Sequence, residues 1–183
     1  MQVMSEQVQI DLDRRVQRLE DIESIHRLKA DYAAACDGGY DGAGFAGLFV
    51  EDGVWEGIGF GIFTGRTAIA GFISGCARET PWIVHFITNA RIDVSDTGDC
   101  ASGSFYLLEV SRITDQLSAP EGDDVIGTAH YNDTFVKREG RWYFQRVTAR
   151  WHQISTLQRG WTRQRFRSSA ATWEEHSAVG LQR

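Results

Sequence analysis

One histidine stands in an otherwise apolar strand-like run. His85 lies in Trp82-Ile83-Val84-His85-Phe86-Ile87-Thr88-Asn89, and a period of two puts His85, Ile87 and Asn89 on one face. A neutral imidazole titrating near ~6.5 can take a proton at cell pH. The plain alternative is an inert core histidine. Asp37 bears on the choice. It closes a helix after Ala33-Ala34-Ala35-Cys36, a run too apolar for a solvent face. An acid at a helix C-terminus is disfavoured by the helix dipole, which hints at a tertiary partner. If that partner is His85, the carboxylate orients the ring and raises its basicity. Tyr32, about one and a half turns before Asp37, could donate a proton or a hydrogen bond from the same helix; otherwise it is a core aromatic.

Arg146 stands in Arg141-Trp142-Tyr143-Phe144-Gln145-Arg146. Strand alternation groups it with Trp142, Phe144, Thr148 and Arg150. There it either stabilises developing negative charge or snorkels at the surface. Arg150 is its substitute. Phe49, Trp55, Trp82 and Phe105 could line a pocket or be ordinary core, and Asn89 shares the histidine's face. The chain has no G-x-S-x-G, G-x-x-x-x-G-K-[ST] or H-E-x-x-H, and no helix follows Gly57-Ile58-Gly59-Phe60-Gly61 at the distance a dinucleotide site needs. His26, His85, His130, His152 and His176 show no paired ligand spacing, so no metal and no cofactor is expected.

Several elements must position these residues. Leu12, Val16, Leu19, Ile22, Ile25, Tyr32 and Cys36 recur near helical spacing and predict a helix over 12–36, stopped by Gly38-Gly39. A short second helix is expected over 40–49. Asp52-Gly53 is a turn signal, Val54-Trp55-Glu56 starts an extended piece, and a third helix follows over 66–78, before Pro81. The period then changes to two. Strands are predicted over 82–94, 101–114, 125–137 and 141–153, with turns at Asp96–Asp99 and Glu139-Gly140 and a loop at Asp115–Asp124. A tail from Leu157 carries Trp161, Phe166 and Trp173 among arginines and could pack on the body or on a second subunit.

Helices first and long antiparallel strands after them argue an α+β fold. Long strands joined by tight turns twist and curl. With the N-terminal helices on its concave face, the curled sheet makes a cone-shaped half barrel with room for a small molecule.

Composition sets outer bounds. The chain has 183 residues, 42% hydrophobic and 24% charged, with 19 Lys plus Arg against 25 Asp plus Glu and a net charge of −6. That is one globular domain. A mildly acidic chain without a basic block argues against nucleic acid. No apolar run approaches the ~20 residues that span a bilayer. The opening MQVMSEQVQIDLDRR lacks the pattern of a secretory leader, and Cys36, Cys76 and Cys100 form no C-x-x-C. A cytoplasmic protein is expected.

Taken together, Tyr32…Asp37, Leu48-Phe49-Val50-Glu51-Asp52-Gly53-Val54-Trp55, Thr64-Gly65-Arg66-x-x-Ile69-x-x-Phe72, His85-x-x-x-Asn89 and Glu139-Gly140-Arg141-Trp142 resemble the SnoaL-like branch of the nuclear transport factor 2-like superfamily. The resemblance covers roughly residues 15–155, leaving 156–183 as an extension of a single domain. It implies a cone-shaped α+β barrel and a homo-oligomer, dimer or trimer, associating through the outer sheet face. Within that superfamily the site is most similar to cofactor-free dehydratases and dehydrochlorinases. Carried over, His85 is the base, Asp37 its orienter, Tyr32 an acid or oxyanion donor and Arg146 an assisting cation. The distance from Trp142 to Arg146 departs by one residue from the family pattern, so a bulge, or Arg150, could supply the cation. The expected activity is a dehydratase-like lyase or an isomerase acting on a small apolar, cyclic substrate. Three other readings are kept. One is a non-catalytic β subunit of a ring-hydroxylating dioxygenase. Another is a polyketide cyclase. The third is a binding module in which Asp37 and His85 stand too far apart to hydrogen-bond.

Overall fold

The computed structural model describes residues 2–57 and 59–167. Trp173 and His176 lie outside them. Helix α1 spans Gln2–Asp37 and starts earlier than its apolar periodicity suggests. Its first half is solvent-facing: Leu12, Val16 and Leu19 are exposed, correcting the expectation that they join the core. The buried stripe begins at Asp21 and continues through Ile25, Leu28, Lys29, Tyr32 and Cys36, the three-and-four spacing of one helix face. Helix α2 is the short segment Gly42–Gly47, capped by the Asp41 carboxylate, which accepts from the Gly44 N–H. It ends before Phe49, which belongs to strand β1 (Phe49–Gly57). Strand β2 (Gly61–Thr64) occupies the glycine-rich stretch before helix α3, which spans Arg66–Cys76.

Four long strands follow: β3 (Trp82–Val94), β4 (Cys100–Ile113), β5 (Asp123–Arg138) and β6 (Arg141–Thr156). The sheet order is β2-β1-β6-β5-β4-β3. Its pairs are antiparallel except β1 with β6, and β2 and β3 remain as unjoined edges. The result is a curled, unclosed sheet in an α+β fold, as the strand lengths predicted. Helix α1 lies against it. The core under that helix is aromatic: Tyr32 packs on Phe45 at 4.6 Å and Phe49 on Phe144 at 5.1 Å between ring centroids. No helix among the described residues is long and apolar enough to cross a membrane.

Single-residue irregularities redirect side chains in the sheet. On β6, Thr134 pairs with Arg146 but Phe135 with Phe144, so Gln145 is an inserted residue. Farther along, Thr128 pairs with Gln153 and Ala129 with Trp151, inserting His152. On β3 the register breaks between Thr88 and Arg91, and Asn89 sits there at φ 53°. Each extra residue inverts the inside–outside alternation beyond it.

After β6, helix α4 (Gly160–Arg163) leads the chain back. Phe166 bridges to Ile154 in parallel. The Arg167 guanidinium reaches Asp115 at 2.9 Å and Asp123 at 2.8 Å, tying the end of the described chain to the β4–β5 loop.

Candidate active site

Asp37 ends α1 at the edge strand β3. Its Oδ1 accepts from His85 Nδ1 at 2.6 Å and from the His85 backbone N–H at 3.1 Å. Gripped on both backbone and ring, the imidazole is fixed in orientation, and Nδ1 is the protonated nitrogen. Burial lowers the His85 pKa, and the Asp37 hydrogen bond only partly offsets this. The ring is therefore neutral at neutral pH, with the Nε2 lone pair free to take a proton.

Directly across the strand pair stands Glu109. Its Oε2 lies 3.5 Å from His85 Nε2, too far for a strong hydrogen bond. Glu109 is buried and faces the Asp37 charge. Burial and that charge, in this order, push its carboxyl up to about 8. With a neutral ring beside a protonated acid, the contact is no ion pair at neutral pH. Opposite Glu109 on β5 is Gly127, where a Cβ would fall 2.8 Å from the Glu109 carboxyl. Only a residue without a side chain leaves that space.

Tyr32 closes the site from α1. Its hydroxyl oxygen accepts the Trp55 indole N–H at 2.9 Å and is hydrogen-bonded by Tyr131. Burial drives the Tyr32 phenol far above its usual range. It keeps its proton, so toward a guest it offers a hydrogen bond and not the proton itself. Beneath these two phenols Lys29 Nζ lies 2.8 Å from Asp133 and 3.6 Å from the Tyr131 ring centroid. This buried pair packs on aromatic faces and locks the floor. Burial also pushes the Cys76 thiol up to about 11 and Cys36 higher still, so neither is a ready nucleophile.

His85, Glu109, Tyr32 and Trp55 all line one cavity of about 530 Å³. Its other walls are largely apolar, with Phe60, Phe72 and Ile83 among them. Its size and lining suit a small organic molecule. A second hollow of about 700 Å³ lies between the β4–β5 loop and the returning chain. It is lined by Arg112, Glu121, Asp123 and Arg159 and contains none of His85, Glu109, Tyr32 and Trp55.

Of the residues expected at the site, Arg146, Asn89 and Phe49 lie outside the cavity, as do the pocket candidates Trp82 and Phe105, and Asp37 reaches it only through His85. Arg146 pairs with Glu56 at 2.8 Å on the outer surface. The inserted Gln145 turns it, and Arg150 after it, away from the face that carries Phe144. Asn89 is exposed at the β3 irregularity and does not follow His85 inward. Phe49 is wholly buried between Phe45 and Phe144. The cations that do line the cavity are Arg78, which is exposed, and Arg167, already engaged by two carboxylates. Sequence reasoning passed over Glu109, although its signal was present: alternation along β4 puts Phe105, Leu107, Glu109 and Ser111 on the buried face. An acid in an inward register is the feature to look for.

The sequence profile described as "SnoaL-like domain" matches residues 17–148. A comparison with curated proteins finds no match. Among solved structures, a scytalone dehydratase candidate from Novosphingobium aromaticivorans DSM 12444 is 27% identical, with a TM-score of 0.68 over 77% of this chain and 90% of that one. An aromatic ring hydroxylase candidate from the same organism is 25% identical, with a TM-score of 0.67 over 76% and 94%. A type 2 hexachlorocyclohexane dehydrochlorinase, LinA, shares the fold at 19% identity and a TM-score of 0.70 over 78% and 93%.

Proposed function

This chain belongs to the SnoaL-like domain family of the nuclear transport factor 2-like fold, and from that premise we propose that it is a cofactor-independent lyase of dehydratase type, or an isomerase, acting on a small apolar cyclic substrate. The observation that carries the reading is the placement of two complementary groups in one cavity: a neutral imidazole oriented by Asp37 at 2.6 Å, and a carboxyl group with a raised pKa 3.5 Å from the other ring nitrogen. Acid and base assignments follow from environments that push two neighbouring groups toward opposite tasks.

In the elimination, His85 Nε2 takes the proton from a C–H activated by a neighbouring carbonyl. The C–H electron pair becomes the new C=C bond as the C–O bond to the leaving hydroxyl breaks. Glu109 gives its proton to that hydroxyl, which leaves as water. The imidazolium then returns a proton to the Glu109 carboxylate across the 3.5 Å gap, restoring both groups. Tyr32 donates a hydrogen bond to the carbonyl oxygen as it gains charge. In an isomerisation, the proton on His85 is returned to a different carbon of the same substrate. General acid–base transfer contributes ~10²–10⁴-fold, and orientation in the apolar cavity supplies much of the rest.

The relative at 27% identity is itself named a dehydratase candidate, which supports elimination. The binding-module reading called for Asp37 and His85 to stand apart, and it has no support in a 2.6 Å contact. Trp82, Phe86, Tyr106 and Leu108 are exposed large apolar residues on β3 and β4, and their alternation turns them away from the cavity. We assign that outer face to homo-oligomerisation.

The test uses cyclic β-hydroxy ketones of one to three fused rings, followed by NMR for loss of water and for α-deuterium exchange in D₂O. Wild type is expected to exchange and eliminate. His85→Ala should abolish both, and Asp37→Asn should lower kcat by about 10²–10⁴ with KM little changed. Circular dichroism checks that both variants fold. An active His85→Ala protein overturns the assignment.

A further inference from the structure

Among the described residues, three buried polar side-chain atoms have no hydrogen-bond partner: Asp133 Oδ1, Ser111 Oγ and Trp151 Nε1. Asp133 belongs to the Lys29 pair. The other two belong to residues that line the cavity. Buried polar groups in folded proteins are paired with few exceptions, so two orphans in one cavity wall need an explanation.

By register Ser111 stands level with Val125 and Trp151 with Ala129 on β5, and the Trp151 side chain packs on the Val125–Ile154 cluster, toward the level of Ser111. Ser111 is the next inward-facing residue after Glu109 on β4, about 7 Å farther along the strand. Trp151 is turned inward beside the inserted His152 and packs on Phe60 at 5.6 Å. Gly127, the residue that leaves room for Glu109, lies on the strand between them. Both atoms are shut off from water in this arrangement. Each side chain must turn to another staggered well to meet a guest.

We propose that Ser111 Oγ and Trp151 Nε1 form a specificity subsite for a second oxygen of the substrate, remote from the bond that breaks. The inference rests on the lyase or isomerase reading above and names its substrate class: an oxygenated ring compound, not a hydrocarbon or a halocarbon. The indole N–H only donates, and the hydroxyl donates or accepts. The group facing both must therefore accept, as a carbonyl, ether or hydroxyl oxygen does. A C–H edge would leave both unmatched. Of the two cations that line the cavity, Arg167 is held by Asp115 and Asp123, and Arg78 is exposed. A distance of about 7 Å from Glu109 is one that a fused ring bridges.

The test compares two probes of one shape, α-tetralone and tetralin, which differ by a ring carbonyl. Affinities are measured by ligand-detected NMR titration. Wild type should bind α-tetralone about tenfold more tightly than tetralin. Ser111→Ala and Trp151→Phe should each erode that preference by about threefold, leaving tetralin affinity unchanged. Ser111→Ala should also melt about 2–4 °C higher without ligand, because it deletes an unpaired buried hydroxyl. If Trp151→Phe does not fold, the probe pair on wild type and Ser111→Ala decides. Equal affinities in wild type, no binding of α-tetralone, or a preference that survives in Ser111→Ala overturns the subsite. His85→Ala separates this result from the enzymatic reading. A retained α-tetralone preference with no elimination by any variant or by wild type keeps the subsite and removes the lyase. Elimination by wild type with no probe preference does the reverse.

Discussion

His85 and Glu109 face one another across β3 and β4, with Nε2 and Oε2 3.5 Å apart. The pair is asymmetric in its supports. Asp37 holds the imidazole from behind, whereas the only charge acting on Glu109 besides its burial is that same carboxylate. One aspartate thus fixes the imidazole and helps keep the Glu109 carboxyl protonated.

The rate should therefore describe a bell in pH. The base must be unprotonated, and its pKa lies below the ordinary histidine value of 6.5, so activity rises through a pH below that value. The acid must be protonated, and its pKa is near 8, so activity falls through that region. A plot of kcat/KM against pH for the free enzyme reads both limbs. Glu109→Gln should remove the alkaline limb and lower kcat for elimination by about 10²–10⁴. It should leave α-proton exchange, which needs only His85, much less affected. An unchanged alkaline limb in Glu109→Gln would assign that limb to another group.

Glu109 also leaves a mark on stability. Its pKa is raised from 4.5 unfolded to about 8 folded, so between these values the folded state binds more protons. Stability contributed by the protonated carboxyl is complete below 4.5 and is lost as pH rises toward about 8. The loss is of order 5 kcal/mol at most, at 1.36 kcal/mol for each pKa unit. His85 works in the opposite sense, since its lowered pKa makes stability rise with pH up to its unfolded value. The difference between wild type and Glu109→Gln isolates the glutamate. Urea unfolding at pH 5 and pH 8 should show wild type losing several kcal/mol relative to the variant.

Arg146 offers a control on the surface. Its ion pair with Glu56 is partly exposed, at 44% and 30% of the side chains. Exposed pairs of this kind contribute about 0–1 kcal/mol. Arg146→Ala should leave kcat and KM within twofold and stability within about 1 kcal/mol. A loss of kcat by tenfold or more would show that the arginine reaches the substrate after all.

The contrast between His85 and Arg146 marks what the sequence made legible. Asp37 and His85 could be read because each was out of place locally: an acid at the wrong end of a helix, and an imidazole in an apolar strand. The α+β order and the long strands could be read from a change of period. Arg146 and Asn89 could not, because alternation was extrapolated across irregularities. One inserted residue at Gln145 and one register break beyond Thr88 send the side chains that follow to the other face. Composition at Gln145 gives no warning of a bulge; the one-residue departure from the family spacing between Trp142 and Arg146 does, but not which way the bulge turns the arginine. The apolar spacing of Phe45, Leu48 and Phe49 predicts one helix, but the chain enters β1 at Phe49 and the ring is core. Lys29 was hidden by its own type. Lysine on an apolar stripe reads as a surface break until Asp133, more than a hundred residues later, is placed 2.8 Å away.

Gly127 supplies the sharpest structural test of the acid. It lies opposite Glu109, and a methyl group there would stand 2.8 Å from Glu109 Cγ and Oε1 and 3.0 Å from Cδ. All three atoms belong to a buried side chain, so relief requires the carboxyl to move rather than a surface tip to swing. Gly127→Ala is compatible with the strand backbone, because the residue is not among those with positive φ. The cost is one of packing, about 1–3 kcal/mol. The carboxyl displaced from His85 loses its place in the proton path. Elimination should then fall by about as much as in Glu109→Gln, while the α-proton exchange that depends on His85 and Asp37 survives. Measuring both reactions on Gly127→Ala, with urea unfolding alongside, separates a moved acid from a damaged fold. Loss of both reactions in a protein as stable as wild type would mean that the methyl group blocks the cavity itself, and that Glu109 has no separate role.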